Sequence, residues 1–204
     1  RDNQPLGKRI EDIRTRMSQM WDQGVSAMAD ISNGSDSFQV KASSPMYTRT
    51  FLEVFGTEPE DCASVMEEAT ALCRKAREYG LDAAPTPHAC YTMSPELLTA
   101  SSAAALEAGY LSYHSEETPE EEEMIKNGSG KMWDNRKAFG MSVPPVCGKS
   151  SLLYFIDRLL AFLFAVPGLA TVVVALVRLL DRYGLAPGVL MEELPFYVRM
   201  YITN

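Results

Sequence analysis

The amino-acid sequence predicts a mainly α fold: a helical soluble domain, then a single transmembrane helix, then a short C-terminal tail. Three observations carry this expectation. Residues 159–177 read LLAFLFAVPGLATVVVALV, a run of 19 positions without a charged side chain. The net charge of −8 lies entirely before residue 151, because residues 151–204 balance Arg158, Arg178, Arg182 and Arg199 against Asp157, Asp181, Glu192 and Glu193. Apolar residues recur at helical spacing in three earlier stretches. The chain divides accordingly into an acidic helical domain (1–114), an acidic, irregular linker (115–150), a membrane-spanning helix (151–183) and a C-terminal docking tail (184–204).

Over residues 8–31, Ile10, Ile13, Met17, Met20, Gly24, Ala27 and Ile31 alternate at spacings of three and four, which predicts one helix with a heptad-like seam. Trp21 widens the stripe, so Ile10, Ile13, Met17 and Trp21 are candidate partner contacts. Residues 32–37 (SNGSDS) read as a loop, 38–42 as a short extended piece, and 47–55 as either a short helix or a strand. Thr57, Pro59 and Glu60 mark a helix start, and the apolar face from Cys62 to Tyr79 ends at Gly80. Pro85, Pro87 and His88 make 81–93 a predicted loop. Ser94 and Pro95 then cap a helix running to about Tyr113.

The acidic run Glu116–Glu117 and Glu120–Glu123, followed by Asn-Gly-Ser-Gly at 127–130, predicts a solvated linker. The 159–177 run would rise about 28 Å as a helix, close to the hydrocarbon thickness of a bilayer. Its candidate lipid- or helix-facing residues are Leu159, Phe162, Phe164, Pro167, Gly168, Val173 and Leu176. The Pro167–Gly168 pair is the main objection to a continuous span. Two short core helices are the alternative. In the tail, Phe196, Tyr197 and Tyr201 are candidate partner contacts.

Chemistry-bearing motifs are sparse. Gly148-Lys149-Ser150 lacks the glycine a phosphate loop needs five positions earlier, where Val143 precedes two prolines. HExxH, GxSxG and GxGxxG are absent. Cys62, Cys73, Cys90 and Cys147 have neither disulfide-framework nor zinc spacing and read as free thiols. His88 and Cys90 share a loop, which raises a thiol nucleophile with its base, or half a metal site. The other histidine is His114. Asn33 and Asn127 have the form of glycosylation acceptors. The acidic balance excludes nucleic acid as a partner.

The function these features predict is a non-catalytic accessory subunit of a multi-subunit membrane complex of respiratory or photosynthetic type. Its partners would be other membrane-protein subunits and the lipid bilayer. No cofactor is implied, although His88 and His114 are conceivable ligands. The Arg1 start suggests a removed targeting segment and a mitochondrial inner or thylakoid membrane. The alternative is a soluble helical viral shell or scaffold protein with 152–183 as a buried helix pair. An enzyme built on Cys90 is the third reading.

Overall fold

The computed structural model describes residues 4–165, with side chains to 159. The fold is α/β, not mainly α. Helix α1 (Leu6–Asp22) is followed by strand β1 (Ala27–Ser32), helix α2 (Phe38–Ala42), strand β2 (Tyr47–Val54), helix α3 (Cys62–Glu78) and strand β3 (Asp82–Pro87). Helices α4 (Pro95–Glu107), α5 (Pro119–Asn127), α6 (Gly130–Ala138) and α7 (Ser151–Ala165) complete the described chain. The three strands are parallel and lie in sequential order β1-β2-β3. Parallel neighbours joined by helical crossovers in sequential order form one wall of βα units.

The single helix expected over 8–31 is two elements. Gly24 adopts φ 91°, a left-handed conformation that stops α1 and turns the chain into β1. Ala27 and Ile31 fit a helical spacing of four, but they also share one face of a strand. Parallel pairing of Ala27–Ser32 with Tyr47–Leu52 decides between the two. Residues 38–42, expected to be extended, form α2, while 47–55 resolves as the strand β2.

Side chains alternate across β2. Leu52 joins Ala83 of β3 under Phe38, Cys73 and Ala76, so that face is covered by α2 and α3. By alternation Arg49, Phe51 and Glu53 fall on the opposite face. There Arg49 pairs with Asp82 and lies 4.7 Å above the Tyr110 ring. Lys41, only 3% exposed, reaches from α2 to Asp30 at 2.5 Å and to Thr50 Oγ1 at 3.0 Å. The side chain of this buried lysine thereby ties α2 to both β1 and β2.

The stretch expected as a loop around Pro85 and Pro87 contains β3. His88 donates its backbone N–H to the Val54 carbonyl at 3.1 Å. In a strand, alternate N–H groups point the same way, so residues 84 and 86 also face β2. The prolines fall at the alternate positions, where the missing donors would have faced residues 111–114. On that side the Thr86 hydroxyl takes over: it donates to the Ser112 carbonyl at 2.6 Å and accepts from the Ser112 N–H at 2.9 Å. One backbone bond follows, from His114 N–H to the His88 carbonyl at 2.8 Å. Residues 111–114 thus lie beside β3 as the next rung of the wall, held partly by a side chain.

Helix α4 begins as its sequence predicts, with Ser94 Oγ accepting from the Leu97 N–H at 3.2 Å. The expected solvated linker contains α5 and α6. Thr118 caps α5 by accepting from the Glu121 N–H, and Glu121 itself is fully buried. Residues 151–165 of the expected span form α7, which packs on α4 and α5. Tyr154 and Phe155 are buried in the main core, and Leu159 packs against it. The Phe155 ring stacks on Tyr113 with centroids 3.7 Å apart. Among the described residues no helix is long and apolar enough to cross a membrane. The side chains of Phe162 and Phe164, and all of Pro167, Gly168, Val173, Leu176, Phe196, Tyr197 and Tyr201, lie outside what the structure describes.

Candidate functional site

Parallel βα architectures gather functional side chains at the C-terminal ends of their strands, where each strand hands over to a loop. Three groups meet there. Glu53 is the penultimate residue of β2, His88 follows β3 directly, and His114 ends the 111–114 rung. One ligand atom from each lies within 4.8 Å of the others. Glu53 Oε1 is 3.1 Å from His114 Nε2, and the two histidine rings are 5.1 Å apart, centroid to centroid.

Glu53 Oε1 is buried and accepts no hydrogen bond. Its contact with His114 therefore lacks the alignment of a true hydrogen bond. A buried carboxylate oxygen without a donor is unusual, and a cation would satisfy it. The other oxygen, Oε2, accepts from Asn33 Nδ2 at 3.3 Å, which fixes the carboxylate. His88 is oriented in a similar way. Thr92 Oγ1 donates to the Ala89 carbonyl, so it accepts from His88 Nδ1 at 2.8 Å. That assignment places the proton on Nδ1 and leaves the Nε2 lone pair free, the form a metal requires. Two imidazole nitrogens and one carboxylate oxygen suit zinc or a similar transition ion.

Two aromatic rings flank His88, and one of them carries a carboxylate on its hydroxyl. Phe55 and Tyr91 stand edge-on to His88, at 6.4 and 5.8 Å. The Tyr91 hydroxyl donates to Glu117 at 2.7 Å. Burial, reinforced by Glu117, pushes the Tyr91 phenol well above its usual range, so it stays a donor. The turn between His114 and α5 is held by Glu121, whose carboxylate accepts from the backbone N–H groups of Glu116 and Glu117 at 3.2 and 2.8 Å.

Phe55, Tyr91 and Thr92 also line a cleft of about 480 Å³, together with Met124, Met132, Asn135, Arg136 and Met141. Glu58 pins one rim. It accepts from the Ser142 N–H at 2.9 Å and Oγ at 2.6 Å, and from the Thr57 hydroxyl at 2.6 Å. These donors, Ser142 first, hold its carboxyl down at about 2. A depressed carboxyl contributes stability above its unfolded value of 4.5 and loses it as pH falls toward 2. Wild type is therefore expected to exceed Glu58→Gln in urea midpoint at pH 6. That advantage should vanish by pH 2. An equal gap at both values would show that the carboxylate does not hold the rim.

The residues singled out from sequence fall in several places. Ile10 and Ile13 pack around the buried Met17, beside Val40 and Met46, within the chain's own core. Trp21 is 43% exposed and lines a cleft with Met17. His88 and His114 come together, although no local motif joins them. Cys90 does not pair with His88. It is buried near Glu121, at 3.7 Å, and burial pushes its thiol well above the usual range, the opposite of what activates a nucleophilic thiol. Cys62, Cys73 and Cys147 are also free thiols. Asn33 supports Glu53. Sequence reasoning missed Glu53, Glu117 and Glu121. The signals present were an acid inside the apolar run FLEVF and the capping pattern Thr118-Pro119-Glu120-Glu121.

No protein-family description and no curated protein matches the chain. Among solved structures it is similar to the Helicobacter pylori aminofutalosine deaminase, with TM-score 0.53 and 21% identity over 64% of this chain. It is also similar to the same enzyme in complex with methylthio-coformycin, with TM-score 0.51 and 22% identity over 62% of this chain. The matched part is 33% and 31% of those deaminase chains, so this chain spans about a third of their length. At this identity the likeness shows the fold.

These findings correct the sequence-based function. The α/β fold, with α7 packed into its core, does not fit the helical architecture on which the membrane-subunit and all-helical shell readings rested. No helix among the described residues is long and apolar enough to cross a membrane, so those residues lend the expected bilayer, membrane-subunit partners and organellar membrane location no support. The expectation of a chain without a functional constellation does not stand beside the Glu53, His88 and His114 cluster, in a fold similar to that of a deaminase.

Proposed function

We propose that this chain supplies one side of a metal-dependent hydrolase centre that removes an amino group from a heteroaromatic ring. The observation that carries the reading is the unbonded Glu53 Oε1 set against His88 and His114 at the strand ends. The likeness of the fold to an aminofutalosine deaminase supports deamination as the reaction.

Glu53, His88 and His114 would hold the ion. When bound, it acts as a Lewis acid and makes water more acidic. The chain's own residues do the rest. Asn33 and Thr92 fix the ligand orientations from behind. Glu117 is the proton carrier: its carboxylate accepts a proton from water and returns it to the departing amine. Water oxygen replaces the ring's amino nitrogen, and ammonia leaves, so atoms and charge balance. Tyr91 holds Glu117 through its hydroxyl and presents its ring beside His88, where a planar substrate can stack. The Phe55 ring and the apolar cleft exclude water from the reacting face.

The test uses the full chain, loaded with zinc and dialysed. One equivalent of zinc should remain by elemental analysis, and ammonia should be released from aminopurine nucleosides. Zinc retention without ammonia release would leave the metal site and sink the deaminase assignment. Failure to retain zinc would sink both.

A further inference from the structure

The turn that carries Glu117 is strained and is held by a buried acid. Glu116 adopts φ 57°, the one non-glycine residue with a left-handed backbone among the described residues. That conformation is unfavourable for a residue with a side chain, and it persists only where the surroundings impose it. Here Glu121 imposes it. Its carboxylate accepts from the N–H groups of Glu116 and Glu117, one on each side of the strained α-carbon, at 3.2 and 2.8 Å. Successive N–H groups around a left-handed residue form a concave anion seat, and the chain fills this one with its own acid. Glu121 is fully buried, although Glu116 and Glu117 are both exposed. A further donor to it is the Cys90 thiol, at 3.7 Å.

We infer that Glu121 is a positioning residue for the proton carrier: by seating the N–H groups of Glu116 and Glu117, it fixes where the Glu117 carboxylate stands. The inference rests on the proposed function, in which Glu117 carries the proton. Three features favour this role over that of a helix cap alone. The start of α5 is already capped by Thr118, which accepts from the Glu121 N–H at 3.2 Å. A connecting turn needs neither a buried acid nor a left-handed glutamate, because glycine reaches that conformation without strain. The same short piece after His88 also holds both acids: the Cys90 thiol meets Glu121, and the Tyr91 hydroxyl meets Glu117 at 2.7 Å. Glu117 is thus held at its backbone by Glu121 and at its carboxylate by Tyr91. Proton transfer demands such accuracy, since a displacement of about 1 Å can cost on the order of 100-fold in rate. Glu121 acts through the turn and does not itself touch the substrate.

The experiment compares the zinc-loaded full chain with Glu121→Gln, which keeps the shape but leaves a single, weaker acceptor oxygen. Ammonia release from aminopurine nucleosides should fall about 100-fold in kcat, while KM and zinc content stay within about twofold of wild type. Amide hydrogen exchange at Glu116 and Glu117 should become at least about tenfold faster. An unchanged kcat, a loss of zinc that parallels the loss of kcat, or unchanged exchange at both amides would each overturn the inference. If the wild type releases no ammonia, the deaminase reading fails by itself, and exchange alone decides whether Glu121 holds Glu117: faster exchange in the variant keeps that placement, and unchanged exchange removes it. If Glu121→Gln does not fold, the wild type decides. Its Glu116 and Glu117 amides should exchange at least about tenfold more slowly than in an unfolded peptide, and equal rates would overturn the inference.

Discussion

His114→Ala is expected to weaken zinc retention by at least about 100-fold and to reduce ammonia release to background. Removing a direct ligand exceeds the roughly 10–100-fold effect of losing a supporting hydrogen bond. Asn33→Ala should fall in that smaller range, because Asn33 only orients Glu53 through its Oε2. Glu53→Gln keeps the shape but replaces an acceptor-only carboxylate with an amide, and should behave like His114→Ala. All three sites are partly exposed polar positions, so urea midpoints should shift by no more than about 1 kcal/mol in free energy. Elemental analysis after dialysis separates the three variants. Equal zinc in wild type and His114→Ala would mean that the cluster does not bind metal. A large loss of stability without loss of zinc would mean that these polar groups are structural.

Phe155→Ala should destabilise the fold by about 3–5 kcal/mol, the usual cost of emptying a buried aromatic site. Phe155 is fully buried and stacked face to face on Tyr113, which is itself fully buried. Against a total stability of about 5–15 kcal/mol, that is a large fraction. Leu153→Ala on the same helix is the control: Leu153 is 46% exposed, and its loss should change stability by about 0.5 kcal/mol. Urea unfolding of the two variants distinguishes a helix built into the core from one that merely follows it. If both shift equally little, α7 is not part of the core.

What the sequence showed follows from what was local. Helices α3 and α4 were legible because their caps, apolar faces and terminating residues lie within one segment. Gly24 was visible but was read as one position of a helical seam. Its left-handed φ shows that it is a helix stop. Strand β3 was hidden by Pro85 and Pro87, since proline normally argues against an interior strand. It is tolerated here because Thr86 supplies the missing hydrogen bonds with its side chain. The acidic run at 116–123 was read by charge alone, although Thr118 and Glu121 carried a cap. The 159–177 run outweighed everything before it, yet its approach, Tyr154 and Phe155, belongs to the core of the α/β unit.

The site was the least legible part. His88 and His114 are 26 positions apart, and Glu53 is 35 before His88. No spacing rule joins residues whose proximity is created by three parallel rungs. Only the register of β2 with β3, which sets Val54 against Pro87, brings them to one end. The acid inside FLEVF was a usable sign, because a carboxylate in an apolar strand needs a reason to be there.

The side-chain tie at Thr86 has a consequence for motion. A conventional strand is locked to its neighbour by a ladder and detaches only with the sheet. The 111–114 rung lacks that ladder: one hydroxyl and one backbone bond hold it to β3, and its other anchor is Tyr113, whose hydroxyl accepts from the Cys90 N–H and whose ring is buried against Phe155. Its attachment runs through side chains rather than a zipped backbone, so its fluctuations follow the Tyr113–Phe155 contact. His114 and Glu117 depend on that contact for their position, whereas Glu53 and His88 are placed by the sheet. Core packing on α7 and strand register thus set the two sides of the centre separately.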